Sequence, residues 1–242
     1  MPQTEKFVVS CSHCGLNALC IPTSLTSEEI EVVDTEIKRA KPLHKNGIVF
    51  EIGDPFTSIY AVRSGALKAY SIDENGEEYV VGFFLPGELI GLDSIDSGVH
   101  LNTAKALETS TLCEIPFDQV ETLSKKIHNL QKHMYRILSR GIGEDQKLQL
   151  LLGKKTAVEK IGTFILNLSQ RYQQRHLSAT MLRLPMTRTD IANYLGLAVE
   201  TVSRIVTRLQ AQKILKADGK DIEILDYKQL CLVAHSRCIG DK

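Results

Sequence analysis

The hydrophobic and polar positions follow two different periods, which divide the chain into a β-rich part and a helical part. Over residues 43–117, short runs of Val, Ile, Tyr and Phe alternate with turn residues at close intervals. One turn, Asn75-Gly76, lies between the runs 69–72 and 79–81 and is typical of a tight hairpin, because such a turn requires positive φ angles. Many short strands with no long helix between them predict an antiparallel sandwich or roll.

A helical period replaces this pattern after Phe117. Spacings of three and four place one stripe along a predicted helix of about 30 residues, and its members are Ile127, Leu130, Met134, Ile137, Gly141, Asp145, Leu148 and Leu152. A long helix with a narrow apolar seam is typical of self-pairing, although packing on its own domain produces the same pattern. Self-pairing would bring two Asp145 carboxylates together, which repel each other. We therefore expect a weak dimer whose monomer–dimer equilibrium a second interaction can shift.

The C-terminal part has the pattern of a winged helix-turn-helix. A helix is predicted over residues 157–173, and the segment TRTDIANYLGLAVETVSRIVTRLQ follows at residues 187–210. Its apolar positions form the inner faces of two short helices, and Gly196 lies at the turn between them. A hairpin around Asp218-Gly219 would add the wing. A bare helical hairpin imitates only parts of this pattern, so DNA binding is the favoured interpretation.

The outward face of the second of these helices carries candidate DNA contacts. Glu200 can accept a hydrogen bond from cytosine N4, and Arg204 can donate to guanine O6 and N7. A surface salt bridge between these two residues is the alternative, but on the exposed face of a reading helix it is the less favoured one. Ser203 can reach a base edge or a phosphate. The contacts predicted along with these are Arg188, Thr207, Arg208 and Lys213, mainly to phosphates.

Composition and charge favour a globular protein and argue against a membrane-spanning one. The 242 residues are 43% hydrophobic and 24% charged, enough for one or two domains with a buried core. Residues 26–115 hold 16 acidic and 7 basic side chains, whereas residues 183–220 hold 3 and 7, so only the latter would attract a polyanion. No apolar run reaches the roughly 18–20 residues of a membrane span, and no signal peptide is evident. We therefore expect a cytoplasmic protein that does not contact a membrane.

Six cysteines provide the most distinctive chemistry. Cys11, Cys14 and Cys20 form C-x2-C-x5-C, and Cys113 follows near the end of the last β segment. In a reducing compartment such clustering indicates a metal site rather than disulfides. An arm of three with a distant fourth favours an iron–sulfur cluster, while tetrahedral zinc and free thiols remain open. Cys231 and Cys238 are expected to be plain thiols.

The order of these features resembles the CRP–FNR superfamily of transcription regulators, and within it the oxygen-sensing FNR group, called ANR in pseudomonads. The resemblance extends from Cys11 to about Leu232, and its most specific stretches are CSHCGLNALCIP, AVRSGALKAYS, KALETSTLCEIPF, LLLGKKTAVEKIGTFILNLS and NYLGLAVETVSR. It implies an α+β fold with four parts: a cysteine-rich arm (1–25), an antiparallel β-roll of the cyclic-nucleotide-binding type (26–118), a dimerisation helix (119–152) and a winged helix-turn-helix (153–242).

The resemblance also implies a function. It indicates a global regulator of anaerobic metabolism that binds DNA as a homodimer when a [4Fe-4S] cluster is held by Cys11, Cys14, Cys20 and Cys113. The resemblance further implies that oxygen converts the cluster towards [2Fe-2S], that the dimer then separates, and that DNA binding is lost.

The family's other functional residues have counterparts here. The E-x-x-S-R motif at Glu200, Ser203 and Arg204 matches the family's readers of TTGAT half-sites in a palindrome. Ile142 and Asp145 correspond to a dimer switch, and the turn at 73–77 to a surface that contacts RNA polymerase.

Cyclic nucleotide binding is not expected. Gly87-Glu88 matches CRP, but the Arg-Ser pair with which CRP holds the cyclic phosphate is replaced by about His100-Leu101. Leucine has no donor, and histidine is a weak substitute for arginine. A CRP-like regulator that responds to cyclic nucleotides is nevertheless the alternative. A redox enzyme is less favoured, because no nucleophile constellation, Gly-rich phosphate loop or carboxylate pair supports it.

Overall fold

The computed structural model describes residues 10–236 and Cys238. Residues 1–9 of the predicted arm, and residues 237 and 239–242 of the tail, lie outside the described part. The chain divides into two compact units, one of residues 10–67 and 84–139, the other of residues 68–83 and 140 onwards. No described helix has the length and apolar character needed to cross a membrane.

Eight short strands form the predicted roll. They are β1 (Lys38–Arg39), β2 (Ile48–Phe50), β3 (Ser58–Ser64), β4 (Leu67–Ile72), β5 (Glu78–Phe84), β6 (Leu89–Ile90), β7 (Thr103–Ala106) and β8 (Thr111–Pro116). Their sheets have the strand orders β1-β8-β3-β6 and β2-β7-β4-β5. The hairpin predicted at Asn75-Gly76 is confirmed between β4 and β5, and Gly76 has a φ of 82°.

The register of β8 places one cysteine at the centre of the first sheet. Cys113 lies opposite Arg39 on β1 and opposite Ala61 on β3. Since alternate residues of a strand share a face, Cys113 lies on the same face of β8 as Ile115, which is buried in the core of this unit. The sheet therefore directs the Cys113 thiol towards the core side.

Three helices complete this part of the chain. Helix α1 (Ser27–Glu36) begins at a capping box formed by Thr26 and Glu29. Helices α2 (Phe117–Lys126) and α3 (His128–Lys154) are separated at Ile127, which has extended backbone angles. Helix α3, with 27 residues, confirms the long helix predicted from the stripe, whereas the first residues of the range 119–152 belong to the separate helix α2. The first members of the predicted seam, up to Met134, are buried in the core of their own unit rather than left for a partner.

The second unit contains the helix-turn-helix and its wing. Its elements are α4 (Ala157–Gln174), β9 (Met181–Arg183), α5 (Arg188–Leu195), α6 (Val199–Ala211), β10 (Leu215–Asp218), β11 (Asp221–Ile224) and α7 (Tyr227–Val233). Helix α5 begins at a capping box of Thr187 and Asp190 and ends at Gly196, which has a φ of 60°. Strands β10, β11 and β9 form the wing sheet, and its tight turn at Gly219 confirms the predicted hairpin.

The cysteines near the C-terminus differ from the expectation. Cys231 on α7 is buried, and it forms a disulfide with Cys238, with their Cα atoms 5.6 Å apart. That separation lies within the usual range for a disulfide. The prediction of two plain thiols is therefore wrong, because the turn after α7 brings the two side chains together.

Candidate thiol site and DNA-reading helix

Four cysteines line one pocket of the N-terminal unit. Three of them, Cys11, Cys14 and Cys20, come from the arm, and Cys113 comes from β8. All four are free thiols. Most of the remaining lining is apolar and includes Leu16, Ile21, Pro22, Ile37, Ala61 and Ile115. The structure thus brings together the four residues that the sequence predicted as ligands.

Short turns fold the arm against the roll. The arm forms two 3-10 turns, Cys11–His13 and Ile21–Ser24, and between them the Cys20 N–H donates to the Leu16 carbonyl at 3.0 Å. Gly87 has a φ of 92°, and a Cβ placed there would lie 2.8 Å from Leu19 Cβ. A glycine is therefore required at this position for the arm to approach the roll so closely.

Two charged residues border the thiols. Asp34 Oδ1 accepts a hydrogen bond from the Cys11 N–H at 2.8 Å and forms an ion pair with Arg39. The same guanidinium contacts the Cys11 thiol, with Nη2 3.9 Å from Sγ. Sequence reasoning missed both residues, since neither belongs to a motif and only the fold brings α1, β1 and the arm together.

Burial controls the protonation of the thiols. It raises the pKa of Cys20 to about 12 and also raises the pKa of Cys11 and of Cys113. Neutral thiols are therefore favoured at pH 7, whereas a metal is bound by thiolates. Metal binding at this pocket has to release protons, so its affinity should rise with pH.

The sequence leaves two metal centres open for this donor set, an iron–sulfur cluster and a zinc ion. Within residues 10–236 and Cys238, no three or more His, Cys, Asp or Glu side chains are arranged to hold a metal ion. The four thiolates around a [4Fe-4S] cluster each bind a different iron, so they need not converge on one point as the ligands of zinc do. Four thiols in an apolar lining therefore fit an iron–sulfur cluster better than a single zinc ion.

His100 is enclosed in the core of the roll. Its ring stacks on Phe50 with centroids 3.6 Å apart, and its Nδ1 lies 3.2 Å from Ser94 Oγ. The neighbouring Leu101 is exposed. Neither side chain presents the fork of donors with which an arginine holds a phosphate.

The predicted reading face is exposed in the structure. Val202, Ile205, Val206 and Leu209 are buried on one side of α6. The opposite side exposes the predicted contacts Glu200, Ser203, Arg204, Thr207 and Arg208. Arg188 is only half-buried at the first position of α5, and burial lowers its pKa. The geometry thus presents one helix face to a groove, with Arg188 less accessible than the others.

The predicted dimer-switch residues lie on α3 beyond the part that packs into the N-terminal core. Ile142 is 62% exposed, and Asp145 is also exposed. Tyr135, two turns before Ile142, is exposed as well. The two exposed apolar side chains lie seven residues apart, on one face of α3.

Comparison with known proteins identifies the family. Residues 159–233 match the model of the Crp-like helix-turn-helix domain, and residues 40–126 match that of the cyclic nucleotide-binding domain. The chain is 48% identical over 230 residues to the transcriptional activator protein anr of Pseudomonas aeruginosa, covering 95% of this chain and 94% of that protein. It is 46% identical over 239 residues to the fumarate and nitrate reduction regulatory protein of Escherichia coli K12, covering 98% and 96%.

A solved structure supports the same assignment. FixK2 from Bradyrhizobium japonicum superposes with a TM-score of 0.76 at 27% identity, over 84% of this chain and 99% of that one. Its fold agrees with the α+β architecture of roll, long helix and winged helix-turn-helix described above. The relatives are transcription regulators and not enzymes. The chain therefore belongs to the CRP–FNR family of DNA-binding transcription regulators and is similar to its FNR and ANR members.

Proposed function

We propose that this chain is an oxygen-responsive transcription regulator that binds palindromic TTGAT-type sites as a homodimer. In the absence of oxygen it holds a [4Fe-4S] cluster and activates or represses genes of anaerobic metabolism. The observation that carries this assignment is the convergence of four free thiols, three from the arm and one from β8, on one apolar pocket. The names of the relatives agree with it.

The residues of the pocket give the site its properties. Cys11, Cys14, Cys20 and Cys113 would hold the cluster, which when bound supplies a reactivity towards oxygen that protein side chains lack. Apolar neighbours such as Leu16 and Ile21 limit the access of water. Ligation fastens the arm to the central sheet, because the fourth thiol lies on β8.

A continuous core connects the thiol pocket to helix α3. Cys11 and Ile21 share one buried cluster with Leu130 and Met134 of α3. Beside them, Arg136 Nη1 lies 3.4 Å from Ser24 Oγ. A change in the packing of the arm therefore alters the packing of the helix that carries the dimer surface further along.

The dimer surface lies on the exposed part of α3. Ile142 supplies apolar contact to a second copy of the helix, and Asp145 opposes pairing because two carboxylates meet there. The balance is close enough for an input of a few kcal/mol to shift it. Ligation of the arm is that input.

Each protomer presents α6 to a major groove. The single G·C pair of a TTGAT half-site offers guanine O6 and N7 to Arg204 and cytosine N4 to Glu200. Ser203 lies beside them, while Arg188, Thr207 and Arg208 contact phosphates. A twofold dimer sets two such helices about 34 Å apart, one turn of DNA.

The β4–β5 turn forms an acidic surface for RNA polymerase. Asp73 Oδ1 accepts hydrogen bonds from the N–H groups of Asn75 and Glu77 at 2.9 and 2.8 Å. These bonds hold an exposed loop in one conformation, which lowers the entropy lost when a partner binds it.

Anaerobic purification of the full chain tests the assignment. We expect a coloured protein with iron and sulfide near four of each per chain, as a [4Fe-4S] centre requires, and DNA binding that is lost in air. Cys20→Ser should remove the iron and the DNA binding, whereas Cys238→Ser, outside the pocket, should retain both. Iron-free parent protein that still dimerises and binds its site would exclude this function.

The match to the cyclic nucleotide-binding domain supports a second candidate, a regulator that responds to cyclic nucleotides. The enclosed His100 and exposed Leu101 make it the less favoured one. Calorimetric titration with cyclic AMP separates the two candidates, since tight binding would favour the second.

A further inference from the structure

We propose that Arg39 is a further residue of the thiol site, which donates hydrogen bonds to the ligating sulfurs and balances their negative charge. This inference rests on the proposed function, because its acceptors are cluster-bound thiolates. Arg39 is not a ligand, and it belongs to no motif of the sequence.

The position of Arg39 places it beside two of the four sulfurs. On β1 it lies directly opposite Cys113 of β8, and cross-strand partners are near neighbours. Its Nη2 lies 3.9 Å from Cys11 Sγ in the arm. One guanidinium thus borders both the part of the site that comes from the arm and the part that comes from the sheet.

A buried donor of Arg39 lacks an acceptor. Its Nε is inaccessible to solvent and has no hydrogen-bond partner within the described part of the chain. A buried hydrogen-bond donor without an acceptor is energetically unfavourable. The Arg39 Nε–H therefore indicates an acceptor outside the described part of the chain. A sulfur-rich anionic group in the adjoining pocket would be an acceptor of the required kind.

Asp34 fixes the guanidinium in this place. Its Oδ1 is paired with Arg39 and also accepts the Cys11 N–H, so one carboxylate orients both the cation and a ligand. Arg63 lines the pocket as a second cation, and the Arg39 guanidinium contacts the Cys11 thiol through Nη2. Hydrogen bonds to cluster sulfurs raise the reduction potential, because they stabilise the more negative reduced form.

The test compares Arg39→Gln with Lys38→Gln in the full chain, loaded anaerobically. Lys38 is the neighbour on β1, and its side chain is 67% exposed and pairs with Glu114 at 3.6 Å, so its substitution removes the same charge from the same strand. We expect Arg39→Gln to lower the reduction potential and to speed the loss of iron to a chelator about ten-fold. Lys38→Gln should match the parent protein in both.

The outcomes separate this inference from the function on which it rests. A parent protein without iron and sulfide overturns both. A loaded parent whose potential is unchanged by Arg39→Gln overturns the role of Arg39 alone, and so does faster iron loss at unchanged potential, which indicates a merely structural role. If Arg39→Gln does not fold, Arg39→Lys tests the hydrogen bonds alone, because it keeps the charge but loses the planar fork of donors.

Discussion

Lys68 Nζ on β4 lies 2.8 Å from Asp190 Oδ1 on α5, and this ion pair joins the β4–β5 hairpin to the first helix of the helix-turn-helix. The ammonium also lies 2.5 Å from Glu78 Oε2 on β5. Asp190 in turn accepts hydrogen bonds from the Thr187 N–H and hydroxyl, at 2.8 and 2.6 Å. One buried lysine therefore compensates two carboxylates and orients the residue that caps α5.

Removal of the Lys68 ammonium should lower the unfolding free energy of the second unit, which contains both Lys68 and α5. Lys68→Met leaves the buried Asp190 carboxylate without its cation, and breaking a buried pair in this way costs about 3–5 kcal/mol. Denaturant unfolding measures the change. Lys147→Met is the control, because Lys147 pairs with Glu144 at 2.7 Å on an exposed surface, where such a pair contributes at most about 1 kcal/mol. Equal losses in the two variants would contradict this expectation.

Asp190 should also make stability depend on pH in the acid range. Burial opposes its ionisation, but the hydrogen bonds from Lys68 and Thr187 outweigh burial and lower its pKa. Because the folded pKa lies below the unfolded value of about 3.9, the ionised carboxylate stabilises the fold above that value and loses this effect as the pH falls through the folded pKa. Between neutral and acid pH, the unfolding free energy of Asp190→Asn should fall less steeply than that of the parent. Parallel profiles would show that Asp190 is not responsible.

Gly87→Ala should weaken the docking of the arm. The added methyl group meets Leu19 Cβ at 2.8 Å, and the φ of 92° is itself strained for alanine. Gly76→Ala is the matched control, since its φ of 82° imposes similar strain but its Cβ would meet nothing within 4 Å. We expect anaerobically loaded Gly87→Ala protein to lose iron faster to a chelator than Gly76→Ala protein. Equal rates would show that the contact between Leu19 and Gly87 does not hold the arm.

The two arginines of α6 should affect DNA binding differently. Arg204→Ala should cost about 1–3 kcal/mol and relax the preference for the G·C pair of the half-site, because a base contact is lost. Arg208→Ala should weaken binding to all sequences and reduce the salt slope by about 1, because a phosphate contact is lost. Salt titrations with the half-site palindrome and with a variant changed at that pair measure both effects. A uniform loss with Arg204→Ala would exclude it as a base reader.

Asp145→Ala should allow dimerisation and DNA binding in air. In the proposed dimer the substitution removes the two carboxylates that meet across the twofold axis, so pairing no longer requires the ordered arm. Sedimentation and DNA binding under aerobic conditions measure this. Glu144→Ala is the control, because Glu144 is its neighbour, also exposed, and pairs with Lys147. An Asp145→Ala protein that remains monomeric and inactive in air would show that the seam is not the switch.

Local periodicity determined most of the fold in advance. The hairpin at Asn75-Gly76 follows from its turn residues, and the inner and outer faces of α6 follow from spacings of three and four residues. The break between α2 and α3 at Ile127 was not predicted. A stripe of apolar residues also shows that a helix face is buried without showing what covers it. The buried residues up to Met134 and the exposed Ile142 belong to one pattern but have different surroundings.

The sequence by itself determined the types of element, the four thiols and the exposed face of α6, because these depend on residue type and spacing within short segments. Only the tertiary structure decided which distant groups meet. The approach of Arg39 to Cys11, the pair of Lys68 with Asp190 and the disulfide of Cys231 with Cys238 depend on strand register and on how elements pack. The first two contacts join side chains 28 and 122 residues apart, and the disulfide joins residues on either side of the end of α7, so the spacing of hydrophobic residues does not predict them.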